Sequence, residues 1–139
     1  MELIDEIDER KTITNVKKWL NFSFPKLVMS AGLDAASLKS PSITDMPTDP
    51  THGNANEAKV IRMIDNQQKV SEVMRALRGY KHTSKVILYG IYVDNISNWQ
   101  LADKLGYSHT RFNELKSQAL LEFAYIMQAY NYKLIVKKG

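Results

Sequence analysis

The sequence predicts an all-α protein, with a C-terminal helix-turn-helix and a smaller helical N-terminal segment. Three observations lead there. Apolar residues recur at three- and four-residue spacing on both sides of one interruption. That interruption, rich in Pro, Ser, Thr and Asp, supports neither helix nor strand. Ala102, Gly106 and Phe112 stand at the mutual spacing that two helices crossing through a tight turn require.

The first element spans residues 1–33. Ile4, Ile7, Val16, Trp19, Leu20, Leu27 and Val28 fall at broadly helical spacing among charged residues. Thr12 or Thr14 is placed to cap a helix through Trp19 and Leu20. Pro25 suits the first turn of a short second helix, and Gly32 its end. Residues 34–53 then read as a flexible linker containing Pro41, Pro47, Pro50 and Gly53.

The third part is residues 54–139. Asn54 or Asn56 is placed to cap a long polar helix whose apolar stripe is Val60, Ile64, Val70, Val73, Met74 and Leu77. Gly79 ends it, and the run Asn66-Gln67-Gln68 is a point where it could divide in two. The run VILYGIYV reads equally well as a buried strand; its neighbours assign it to a helix. From Ser97 onward the periodicity is helical.

The turn geometry restricts particular positions. Ala102 is small where the second helix must cross the first. Gly106 tolerates the positive φ of the turn, and Ser108 is an N-cap for the second helix. Phe112 reaches back between the helices, and Leu101, Leu105 and Leu115 complete their shared core.

The second helix is then expected to show Ser108, His109, Thr110, Arg111, Asn113 and Glu114 to solvent. Arg, Asn and Glu are the types that read guanine, adenine and cytosine edges. Lys81, Lys85, Lys104, Lys116 and Ser117 are the expected phosphate contacts. An ordinary solvated polar face is the competing reading of the same residues. The span Lys59–Lys85 supports the first: it holds seven Lys and Arg against Asp65 and Glu72. The expected partner is double-stranded DNA.

Composition bounds the alternatives. The chain has 139 residues, 44% hydrophobic and 24% charged, in the range of one globular domain or two very small ones. It has no cysteine, which excludes disulfides, thiolate metal sites and Cys nucleophiles, and suits a cytosolic protein. The net charge of +4 is compatible with nucleic acid without requiring it. No apolar run approaches the ~20 residues of a membrane span, and the acidic start MELIDEIDERK is unlike a signal peptide.

Catalytic and metal sites are not expected. His52, His82 and His109 have no ligand spacing. Ser108 and His109 are sequence neighbours, about 100° apart on a helix, and cannot act as nucleophile and base. No cofactor, small-molecule substrate or enzymatic activity is therefore expected. Trp99 is placed either to pack under the two helices or to stack elsewhere, and is assigned to the core. Phe123, Tyr125, Tyr130 and Tyr132 are placed on a terminal amphipathic helix, for packing or self-association.

The stretch SKVILYGIYVDNISNWQLADKLGYSHTRFNELKSQALLEFA resembles region 4 of bacterial sigma-70-type factors. The likeness lies in Tyr92, in Leu105-Gly106-Tyr107-Ser108 and in Ala119-Leu120. Gln100-Leu101-Ala102 and Phe112-Asn113 depart from the Glu-Ile-Ala and Val-Arg common there. The whole chain is similar to the ArpU-type phage packaging and lysis transcriptional regulators, through KTITNVKKWL, LKSPSITDMP and GNANE. That resemblance implies activation of late phage operons by DNA binding. Host RNA polymerase and a second copy of the chain are further candidate partners. The alternative is a small terminase-like DNA-packaging subunit; a pure protein-interaction domain is the third reading.

This organisation makes limited proteolysis informative. Cleavage is expected first between Ser40 and Thr51. First cuts inside the C-terminal helices would contradict the two-part reading.

Overall fold

Two apolar clusters, joined by one long helix, organise the chain. The structure, a computed structural model, describes residues 6–39 and 57–139. Its elements are α1 (Glu9–Lys18), a π-helical turn (Trp19–Ser23), α2 (Phe24–Ser30), α3 (Ala35–Lys39), α4 (Glu57–Arg78), α5 (His82–Tyr92), α6 (Asn98–Leu105) and α7 (His109–Gln128). The protein is all-α, as the sequence predicts. Among the described residues the only β feature is an isolated antiparallel bridge between Ile7 and Lys137.

The first helix starts earlier than expected. Asp8, not Thr12 or Thr14, is its N-cap, accepting from the Lys11 N–H at 3.0 Å. A carboxylate there also faces the positive end of the helix dipole. Thr12 is fully buried inside the helix instead, and Thr14 returns its hydroxyl to the Arg10 carbonyl at 3.0 Å. Pro25 sits in the first turn of α2, as expected, but no break precedes it. The π turn carries the helix through, with the Phe24 N–H reaching back to the Trp19 carbonyl. The wider turn eases the clash that a proline ring makes with the carbonyl four residues back.

Residues 35–39 were expected to belong to a linker but form α3. The Asp34 carboxylate accepts from the Ser37 N–H at 2.8 Å and from its hydroxyl at 2.9 Å. Those donors, the backbone N–H foremost, hold the Asp34 carboxyl below its ordinary range. The remainder of the expected linker, and the expected caps Asn54 and Asn56, lie outside the described residues.

Helix α4 is unbroken through Asn66-Gln67-Gln68. Its amides bind another helix instead of disrupting their own. Gln67 Nε2 donates to the Ala31 carbonyl at 3.0 Å, and Asn66 Nδ2 to Ser30 Oγ at 3.3 Å. Both partners lie at the C-terminal end of α2, and the Ala31 carbonyl is among the unpaired acceptors that a helix end leaves.

The larger cluster joins the two halves of the sequence. Val16, Leu20, Phe24 and Val28 pack with Val70, Val73, Met74 and Leu77 of α4 and with Ala119, Leu120, Phe123, Ala124 and Met127 of α7. Trp19 lies edge-on to Tyr132 at 5.4 Å and near Phe24 and Phe123, each at 6.2 Å. Tyr130 and Tyr132 pack against this cluster from beyond α7, which ends at Gln128, not from the helix itself. Tyr125, on the helix, is 49% exposed.

The C-terminal segment closes the bundle by crossing α1. The Asp8 N–H donates to the Val136 carbonyl at 2.8 Å, and Asn15 Nδ2 to the Leu134 carbonyl at 2.9 Å. The Val136 N–H donates to Thr12 Oγ1 at 2.9 Å. Thr12→Val would strand that amide in a part-buried setting. It is expected to cost about 1–3 kcal/mol in chemical denaturation. Thr14→Val, on the exposed side of α1, should stay within about 0.5 kcal/mol. Equal effects would remove the cross-link from any stabilising role.

Candidate nucleic-acid interface

The smaller cluster is the platform. Ile87, Leu101, Ala102 and Phe112 are buried together, with Ile91, Ile96, Leu105, Tyr107 and Leu115 packed around them. Helix α5 meets α6 at Gly90, where a Cβ would come within 2.6 Å of a Leu101 methyl carbon. A side chain at position 90 would require Leu101 to shift within the smaller cluster.

Helix α6 ends in a Schellman arrangement. Gly106 is left-handed at φ 77°, its N–H bonds the Asp103 carbonyl, and the Tyr107 N–H bonds the Ala102 carbonyl at 3.0 Å. Ser108 then caps α7, accepting from the Arg111 N–H at 3.1 Å. Ser97 caps α6 in the same way, through the Gln100 N–H at 3.2 Å. Ala102, Gly106, Ser108 and Phe112 therefore have the burial, φ and capping roles expected of them.

The first half of α7 carries an open polar face. Ser108, Thr110, Arg111, Asn113 and Glu114 are exposed, and Ser117 is half-buried. Arg111 pairs with Glu114 at 3.1 Å across one helical turn. Both groups are more than half exposed, so the pair contributes about 0–1 kcal/mol and yields readily to another partner. Thr110, Asn113, Glu114 and Ser117 line one wall of an open hollow of about 660 Å³. Glu9 and Ile13 of α1 also line it.

Of the expected phosphate contacts, Lys85 and Lys104 are exposed, and Lys81 is exposed but 3.7 Å from the Glu122 carboxylate. Lys81 and Lys85 flank the start of α5. Its His82, Thr83 and Val86 border a small hollow with Leu105 and Tyr107, beside the turn that begins α7.

Lys116 departs from expectation. It is 8% exposed, with Nζ donating to Asn98 Oδ1 at 3.0 Å and lying 5.8 Å from the Tyr92 ring centre. Burial, helped by the charge of Lys17, pushes its ammonium down to about 8. This lysine ties α7 to the start of α6 and is not on the open face. Its spacing from Phe112 and Leu120, four residues on either side, was the available sequence signal.

Trp99 also departs from expectation. It is 66% exposed, outside both clusters, and stacks on His109 at 3.5 Å with 15° between the rings. His109 is half-buried beneath it. The sequence clue was Asp103, a charged residue one turn further along the same face of α6.

Residues 51–124 match a family described as a protein of unknown function, DUF1492. A protein of Enterococcus hirae named "Putative autolysin regulatory protein ArpU" is 36% identical over 138 residues, 98% of each chain. The chain belongs to the ArpU family. A Streptococcus phage O1205 protein of the same name is 26% identical over 140 residues, covering 98% of this chain and 99% of its own. No solved structure matches. The ArpU relatives are thus regulators by name, and each aligns with nearly the whole chain. Among the described residues no cluster of His, Asp or Glu could hold a metal, and no helix is long and apolar enough to cross a membrane.

The buried Lys116 gives this ArpU family chain a pH signature. The unfolded chain keeps this proton to about 10.5, the folded chain only to about 8. Between those values the unfolded state binds more protons, so stability rises with pH. Tyr92, pushed up by burial to about 12, acts oppositely above its ordinary value of 10.0. Stability is therefore expected to climb on the order of 2 kcal/mol from pH 8 to 10, then turn over. Lys116→Met should match wild type or better at pH 7 and lose that climb in denaturant titrations. An unchanged climb would assign it to other groups.

Proposed function

We propose that this ArpU family member is a sequence-specific double-stranded DNA-binding regulator of transcription, with the first half of α7 as its reading helix. The observation that carries the proposal is the combination of a rigid mount and an open face. The Schellman turn, the Ser108 cap and buried Phe112 fix the direction in which α7 begins. Thr110, Arg111, Asn113 and Glu114 project from that fixed start into solvent. A recognition helix needs both properties, because base edges are read by side chains near the helix N-terminus. His109, at the first position of α7, belongs to the same reading end.

The phosphate contacts are Lys85 and Lys104, with Lys81 after release from Glu122 and Ser117 at the edge of the face. They lie on α5, at the end of α6 and on α7, so they would bracket a duplex entered by α7. Bases would then exchange the Arg111–Glu114 pair for direct contacts, a small cost on an exposed surface. The autolysin-regulatory names of the relatives, one of them from a phage, support action on lysis genes, and the sequence resemblance extends this to activation of late packaging genes. The place of action is the DNA in the bacterial cytoplasm. Recruitment of host RNA polymerase, or pairing of two copies on two half-sites, would complete the mechanism.

Base reading and phosphate holding separate by experiment. A duplex selected by the full chain from a random library is titrated beside a scrambled duplex at several salt concentrations. Arg111→Ala and Asn113→Ala should each cost about 1–3 kcal/mol on the selected duplex and relax preference at one base pair. Lys85→Ala and Lys104→Ala should weaken both duplexes alike and reduce the salt slope by about 1. If both reading-helix variants keep the wild-type preference, α7 is not the reader. Failure of the library to yield any preferred duplex would return the packaging-subunit and protein-interaction readings.

A further inference from the structure

Trp99 carries a large apolar side chain and contributes to neither cluster, yet its position is specific. Its ring lies flat on His109, the first residue of α7, at 3.5 Å and 15°. Asp103, one turn along α6, places Oδ1 3.8 Å from His109 Nε2. Two residues of α6 therefore hold the imidazole from two directions. The indole sets the plane of the ring, and the Asp103 carboxylate lies beside its Nε2 edge. The His109 side chain remains 39% exposed, so part of the imidazole is open to a ligand.

We propose that Trp99 is a positioning residue for DNA recognition, pre-orienting His109 so that the open part of its imidazole meets a base at the start of α7. The inference rests on the DNA-reading role of α7. A histidine at an exposed helix start ordinarily rotates about two side-chain bonds and must be ordered when it binds. The stack does that ordering in the free protein, which raises affinity without adding a contact. Core packing does not explain the arrangement, since the indole remains 66% exposed. His109 alone is also an insufficient account, because nothing in its own helix fixes the ring plane.

The test uses the full chain and the library-selected duplex beside its scrambled counterpart. Trp99→Ala and His109→Ala should each lower affinity for the selected duplex about three- to tenfold, with binding to the scrambled duplex unchanged. The double variant should lose no more than His109→Ala alone, because Trp99 acts through His109. Trp99→Phe, which can still stack, should recover most of the loss. In the free protein the His109 ring protons should sit upfield in the NMR spectrum and move downfield in Trp99→Ala, with the melting temperature nearly unchanged. Wild-type affinity in Trp99→Ala would overturn the inference while leaving the reading role of α7 standing. So would losses that multiply in the double variant, which would make Trp99 itself the contact. A wild-type chain that selects no duplex would instead remove the DNA reading, and the inference with it.

Discussion

The arrangement depends on one helix belonging to two cores. Phe123, in the second half of α7, is fully buried among α1, α2 and α4. Phe112, in the first half, is 1% exposed and packs with α5 and α6. A helix held at both ends cannot pivot about either. The direction in which its first turn leaves the protein is thus set by contacts far along the chain. Rotating that turn would require repacking one of two close-packed clusters, which interiors resist.

The N-terminal helices acquire their importance from the same constraint. Residues 9–30 run as one helical rod through the π turn and cover the second half of α7. The C-terminal segment then straps α1 through Thr12 and Asn15. The rod also brings Glu9 to the hollow that Asn113 and Glu114 line. This places the Glu9 carboxylate beside the open polar face of α7, while Lys104 and Lys85 are exposed on other elements.

Charge is sorted by tertiary position in a way that counting along the chain does not show. The basic span Lys59–Lys85 looks like a continuous positive strip. Lys69 is instead engaged by Asp65 at 3.1 Å and Lys81 by Glu122 at 3.7 Å. Glu122 also accepts from Ser84 at 3.1 Å, so one α7 carboxylate fastens the start of α5. Lys116, counted among the outward charges of α7, is turned inward to Asn98. Lys81 and Lys116 tie one element to another, and Lys69 is engaged within α4, so fewer ammonium groups stand clear of partners than the sequence count suggests.

By itself the sequence determined whatever depends on backbone conformation and on period. The helical class, the ends at Gly32 and Gly79, the left-handed Gly106, the Ser108 cap and buried Ala102 and Phe112 all follow from residues within a few positions of one another. Such choices are local, so a single strand of text carries them. Tertiary structure decided the rest. Trp99 was legible as a large apolar residue, but its face meets a side chain from another helix. Lys116 was legible as a charge, and only packing against Tyr92 and Asn98 turns it inward. Asp8, not Thr12, caps α1 because Thr12 is needed for Val136, a residue at the far end of the chain. In each case the deciding partner is distant in sequence, and periodicity describes one helix at a time.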